Sequence, residues 1–296
     1  MDINVITSTQ NTRIKRLLVL QQKSSERRRT GLFVVEGRRE LAHCIEAGLT
    51  VEEVYYCPQL CPDLSMYHPL HSPVITEVTP AVYERIAYRG STEGVVAVVR
   101  QRSLSLTDIP LVGDASQRHS PALSVVGDAS QRHSPALPVV GDASQRHNPL
   151  IVVLESVEKP GNLGAVLRSA DAAGATAVIV CDPLTDLYNP NLIRASLGAF
   201  FSVPVVACTS EECIRFLKAH GIAILTAQLQ DSSLYYATDM RRPVAIVMGT
   251  EADGLTPQWR QAADEHIRIP MLGRLDSLNV SVSAAILLFE AVRQRQ

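Results

Sequence analysis

Three polar, glycine-bearing stretches carry the residues of this 296-residue chain that could do chemistry. The last of them leads from Ile269-Pro270-Met271 through a polar loop to Ser277-Leu278-Asn279, just before an apolar run that continues to Val292 and reads as a helix. Ser and Asn suit a helix start because their side chains accept the first free backbone N–H groups, and the helix N-terminus itself favours an anion or a polar ligand. Alone, the stretch fits a capped, buried terminal helix equally well. The other two stretches, Pro160-Gly161-Asn162-Leu163-Gly164 and Gly249-Thr250-Glu251-Ala252-Asp253-Gly254, each close an apolar strand. In open α/β sheets, ligands bind where such loops gather at the carboxyl ends of strands.

Asn162 is expected to open a helix whose apolar stripe is Leu163, Val166, Leu167, Ala170 and Ala173. At 100° per residue Arg168 falls nearly opposite that stripe and points to solvent, a ligand or a partner chain. Thr226 and Ala227 close another strand. The chain has neither a complete GxGxxG fingerprint nor a GxxxxGK[ST] loop, which disfavours dinucleotide and P-loop chemistry.

Strands alternating with helices from Leu150 onward predict a parallel α/β domain over 150–296. Residues 1–100 predict a smaller mixed α/β unit. A helix at 11–23 should lose its footing in the polar run Ser24–Gly31, followed by Phe33-Val34-Val35 as a strand, a helix from Arg38 closed by Gly48, strands at 54–56, 74–78 and 95–99, and a helix opened by Pro80. Between them, Gly-Asp-Ala-Ser-Gln-Arg-His recurs at 113–119, 127–133 and 141–147. This 14-residue unit is too short and too polar for a solenoid, so 101–149 reads as a linker that allows rather than fixes domain placement.

With 46% hydrophobic and 20% charged residues, the composition is that of a soluble globular protein. No signal-like start or membrane-length apolar run is present, so a cytoplasmic location is expected. The net charge of −2 selects no partner, but residues 1–40 carry nine Lys/Arg against four acids. Arg13, Lys15, Arg16, Arg27, Arg28, Arg29 and Arg38 are dense enough to track phosphates, although a solvated helix face also explains such a run. The six cysteines form no CxxC pair and read as reduced thiols. The spacing of Cys57, Cys61, His68 and His71 does not suit a zinc finger, and no metal is expected.

Read together, Asn162-Leu163-Gly164-Ala165-Val166-Leu167-Arg168, Met248-Gly249-Thr250-Glu251-Ala252-Asp253-Gly254-Leu255, and Ile269-Pro270-Met271 with Ser277-Leu278-Asn279-Val280 resemble, in order, the three signature motifs of the SpoU/TrmH family of RNA ribose methyltransferases. The region around Phe33-Val34-Val35-Glu36-Gly37 is similar to the ribosomal-protein-like RNA-binding domain that precedes many members. The resemblance implies a deep trefoil knot of the SPOUT type, a homodimer formed through the C-terminal domain, and S-adenosylmethionine as cofactor. Its cofactor contacts fall on Gly249, Ile269 and Leu278, with Glu251, Thr226 and Ala227 nearby, and its catalytic positions on Arg168 and Asn162, with Ser277 and Asn279 in the same motifs.

Methyl transfer from a sulfonium needs in-line attack by a ribose 2′-oxygen that loses its proton. Arginine stays protonated, so Arg168 is expected to stabilise charge on that oxygen and to orient the adjacent phosphate rather than act as a base. No metal is needed, because the donor carries its own leaving group. The resemblance thus implies 2′-O-methylation of RNA, with large-subunit (23S-type) rRNA favoured over tRNA by the extra N-terminal domain. The rival is a non-catalytic RNA-binding ribosome assembly factor.

Overall fold

The computed structural model describes residues 4–63, 74–88, 93–111, 148–250, 253–274 and 276–296. Glu251, His68, His71 and the three repeats lie outside the described residues. The first unit comprises β1 (Asn4–Ile6), α1 (Thr12–Gln22), α2 (Ser24–Thr30), β2 (Leu32–Glu36), α3 (Arg38–Glu46), β3 (Val51–Tyr56), β4 (Val74–Val78), α4 (Pro80–Ile86) and β5 (Val95–Arg100). Its mixed sheet has the order β1-β4-β3-β5-β2, with β5 antiparallel to both neighbours.

The polar run after Lys23 behaves differently from its expectation. α1 does stop at Lys23, but Ser24–Thr30 form a further helix that ends at Gly31 in the left-handed region. Glu26 pairs with Arg29 one turn on, and the Thr30 hydroxyl donates to the Glu26 carbonyl, so polar side chains support this short helix locally.

The second unit comprises β6 (Leu150–Glu155), α5 (Pro160–Ala172), β7 (Ala177–Cys181), α6 (Pro190–Ser196), α7 (Ala199–Ser202), β8 (Val205–Cys208), α8 (Ser210–Ala219), β9 (Ala223–Ala227), β10 (Ser233–Leu234), β11 (Val244–Met248), α9 (Pro257–Ala262), β12 (Glu265–Arg268) and α10 (Val280–Arg295). All seven strands run parallel in the order β10-β12-β9-β11-β6-β7-β8. The central strands are buried along their whole length, which explains their unbroken Val/Ile/Leu runs.

One face of this sheet is covered by α5, α6, α7 and α10, and the same apolar cluster continues into Phe33, Val35, Val54 and Ala97 of the first sheet. Phe33 packs its ring 4.6 Å from Tyr188 and 6.3 Å from Phe201, and the Arg27 guanidinium meets Asp186 at 2.7 Å. Placement of the two units is therefore set by a shared core rather than by their covalent connection. The opposite face is covered by α8 and α9 and by residues 104–111, where Ile109 is buried and Leu104, Leu106 and Leu111 pack on the same cluster. The first part of the expected linker thus belongs to the second unit. No helix among the described residues is long and apolar enough to cross a membrane.

Candidate functional site

The strand order reverses between β6 and β11: β7 and β8 extend the sheet on one side, and β9, β12 and β10 on the other. Ligands of open α/β sheets sit at such a switch point, beyond the carboxyl ends of the strands. All three polar stretches emerge there, from β6, β11 and β12.

α5 begins earlier than expected, with Pro160 in its first turn, so Asn162 lies inside the helix start rather than ahead of it. Proline is preorganised for a helix start and loses no needed donor there. Gly164 lets α5 approach α6: a Cβ on it would lie 2.6 Å from the Cβ of Ala195. Arg168 is exposed and makes no hydrogen bond or ion pair among the described residues. It lies six residues after Asn162, about 9 Å along the axis.

After β11 the chain folds back on itself. Thr250 and Gly254 exchange two backbone hydrogen bonds of 3.1 and 3.2 Å, and the Thr250 hydroxyl accepts from the Asp253 amide. A Cβ on Gly249 would sit 2.1 Å from the Gly254 carbonyl oxygen, so only glycine fits without moving backbone. Gly254 itself has φ +69°.

The third stretch leaves β12 at Ile269, half-buried, and reaches α10 through Ser277 and Leu278, both exposed. Asn279 caps α10 by accepting from the Ser281 amide at 2.9 Å. Its side-chain amide donates to Asn162 Oδ1 at 3.2 Å, which joins the first and third stretches at the starts of two neighbouring helices. At the end of β9, buried Thr226 shares a 2.6 Å hydrogen bond with His266 Nδ1, and Ala227 packs against the main core. The next residue, Gln228, holds a buried side-chain oxygen, Oε1, with no hydrogen-bond partner among the described residues.

These features suit a nucleoside-bearing cation. Leu278 and Ile269 offer apolar surface beside backbone groups, and Gln228 Oε1 offers an acceptor to an amino group. The residues expected at a cofactor are gathered at one edge, Glu251 excepted, since it lies outside the described residues. The expected catalytic residues are joined only in part: Asn279 donates to Asn162, while among the described residues no hydrogen bond or ion pair ties Ser277 or Arg168 to either.

Glu155, at the end of β6, is a residue the sequence did not single out. It is 2% exposed and accepts from the Thr256 amide (2.9 Å), the Thr256 hydroxyl (2.6 Å) and the Ser210 hydroxyl (3.4 Å). Ser210 also donates to Asp182 and accepts from the Trp259 indole. This buried network fastens the Gly249–Gly254 loop to the sheet. No motif spacing signals it, because its members meet only through parallel strand neighbours.

On the first unit, Lys15, Arg16, Arg28, Arg29 and Arg38 are exposed. Arg13 and Arg16 lie 3.0 and 3.5 Å from Glu53, and Arg29 pairs with Glu26, so the surface is less positive than its arginine count suggests. Arg13 also stacks over Tyr55. Burial, with a hydrogen bond to Glu53, pushes the Tyr55 hydroxyl well above its usual pKa. A groove lined by Arg16, Arg29 and Arg100 together with Glu52 and Glu53 lies on this face. Arg27 does not join it. Expected among the phosphate-tracking residues, it is 2% exposed and donates to Asp186 and to the carbonyls of Leu20 and Gln21. The thiols of Cys57 and Cys61, both buried, find acceptors locally in Gln59 and Asp63.

Comparison with known proteins agrees with this geometry. Residues 149–289 match the SpoU rRNA Methylase family and residues 11–97 match the MRM3-like substrate binding domain. A 23S rRNA (guanosine-2′-O-)-methyltransferase of Xanthomonas axonopodis pv. citri is 42% identical over 145 residues, which are 49% of this chain and 58% of that protein. The matched region therefore spans less than two thirds of that relative's length. A crystal structure of an RNA 2′-O ribose methyltransferase superposes with a TM-score of 0.74 at 36% identity, covering 98% of this chain and 99% of that one. An AdoMet-bound rRNA methyltransferase from Sinorhizobium meliloti gives 0.80 at 28% identity, covering 98% of each chain. With the ordered motifs, the parallel sheet and a full-length relative in agreement, the chain belongs to the SpoU rRNA methylase family.

Proposed function

We propose that this protein transfers a methyl group from S-adenosylmethionine to a ribose 2′-hydroxyl of RNA, the target being a guanosine of 23S-type rRNA. The observation that carries the reading is the convergence of the three stretches at the switch point, tied by the bond between Asn279 and Asn162 and by the glycine-dependent turn at Gly249. The names of the Xanthomonas relative and of the structural neighbours support the substrate and the cofactor.

In this reading Gly249, Ile269, Leu278, Thr226 and Ala227 hold the cofactor, largely through backbone, with Gln228 Oε1 accepting from an amino group; Glu251 belongs to the same motif as Gly249. The bound cofactor supplies a methyl group on a positively charged sulfur that leaves as a neutral thioether. Asn162 and Asn279 fix the mouths of α5 and α10. Arg168, exposed and unpaired among the described residues, is available to the RNA phosphate and to the oxygen on which negative charge develops. Residues 1–100 dock the RNA by shape and phosphate contacts through Lys15, Arg16, Arg28, Arg29 and Arg38, and residues 150–296 perform the chemistry. The C-terminal segment is threaded as the family's trefoil knot, and the protein works in the cytoplasm.

The functional unit is a homodimer paired through α10. That helix is apolar nearly all round: Ala284, Leu287, Leu288 and Ala291 are buried in the core, while Val282 and Phe289 on another face remain 46% and 49% exposed, with Leu278 beside the helix start. A second copy covering that stripe removes it from water.

The test is incubation with methyl-labelled S-adenosylmethionine and total RNA from a strain lacking the protein, followed by mapping of label by resistance to alkaline cleavage. One labelled large-subunit rRNA ribose, lost in Arg168→Ala with cofactor binding retained, is the expected result. Full activity in Arg168→Lys would rule out the two-pronged role for the guanidinium. Label in tRNA would move the substrate, and cofactor binding without label in any RNA or precursor ribosomal particle would favour an assembly factor.

A further inference from the structure

Cys181, Cys208 and Cys213 are far apart in the sequence but meet beside the second sheet. β7 and β8 are neighbours in parallel register, with Cys181 opposite Cys208, and α8, started by the Thr209–Glu212 capping box, brings Cys213 over them. Their three sulfur atoms all lie within 4.8 Å of one another. Three thiolates on a zinc-sized ion at about 2.3 Å require sulfur separations of roughly 3.8–4.0 Å. The observed spacing therefore needs a contraction of less than about 1 Å to meet that geometry. Cys181 and Cys213 are fully buried, while Cys208 is half-buried.

We propose that these three cysteines form a site for one thiophilic divalent cation of the zinc type. Binding exchanges three thiol protons, released to solvent, for three metal–sulfur bonds, and no electrons move. The ion clamps the edge strand β8 and α8 onto β7. It thereby holds Asp182 and Ser210, which reach through Glu155 to the loop after β11.

The experiment is an anaerobic titration of the reduced full-length protein with Cd²⁺, read by the ultraviolet thiolate-to-metal charge-transfer band, by native mass spectrometry and by alkylation. One Cd²⁺ per chain is expected, displaced by excess Zn²⁺, with three of the six cysteines protected from alkylation and a raised Tm. Cys208→Ala, at the partly exposed position, should lose the band, and Cys57→Ala should keep it. The absence of a band in the wild-type protein, a band that survives in Cys208→Ala, or protection of cysteines other than these three would overturn the assignment. So would the finding that the trio is already joined as a disulfide, seen as an intact mass lower by two hydrogens.

Discussion

Replacing Arg27 with Met keeps most of the apolar stem and removes the charged head. In the folded protein that head is 3% exposed, and it bonds Asp186 across the contact between the two units at 2.7 Å and the carbonyls of Leu20 and Gln21 at 2.5 and 3.0 Å. Removing one partner of a buried pair costs about 3–5 kcal/mol, because the other charge is left uncompensated. Asp186 keeps 16% of its side-chain surface in water, so the lower end, about 3 kcal/mol, is expected. For a chain of this size that corresponds to a fall in Tm of roughly 5 °C. Thermal and chemical denaturation should report the loss. In the same variant, binding of a labelled large-subunit rRNA fragment should keep its dependence on salt, since no exposed cation has been removed. Arg28→Ala should do the reverse, leaving Tm unchanged and lowering the slope of log affinity against log salt by about 1. An Arg27→Met protein with wild-type stability and a shallower salt dependence would refute the placement of Arg27 in the contact.

Two further outcomes follow from the geometry. Gly249→Ala drives a Cβ into the Gly254 carbonyl, so it should weaken S-adenosylmethionine binding at least tenfold in calorimetry while the far-ultraviolet spectrum stays native; unaltered affinity would remove this turn from the cofactor site. Phe289→Glu places a charge in the exposed apolar stripe of α10 and should shift the protein to monomers in sedimentation equilibrium, whereas a persistent dimer would move the interface elsewhere.

Much of the fold was legible because the buried parallel strands are continuous Val/Ile/Leu runs and the helices follow amphipathic spacing. β4 coincides with its expected span. α2, α6 and α7 were not legible. Each is only a turn or two long, held by caps such as Asn189 or by a partner distant in sequence such as Asp186, which local periodicity does not reveal. At the site, the three motifs were readable from residue type and order. The residues that support them were not: Glu155 with Ser210 and Thr256, Thr226 with His266, and the cysteine trio become neighbours only once the strands take their order in the sheet. Arg27 illustrates the converse. A charge run in sequence cannot distinguish the arginine that faces solvent from the one that turns inward.

The packing of residues 104–111 on the second sheet has a consequence for how this gene can change. Asn148, on the far side of the repeats, is also held by the second unit, through Arg241 and Arg295. The repeated segment therefore leaves and re-enters the same unit, and neither unit depends on its length for its position. Even for a fully flexible connection, one more 14-residue copy adds only about 0.3 kcal/mol of closure entropy. Replication slippage within the repeated DNA, always in multiples of the unit, could then add or delete copies with little selection against either. Isolates of the same species should differ in repeat number while the residues around the switch point stay fixed.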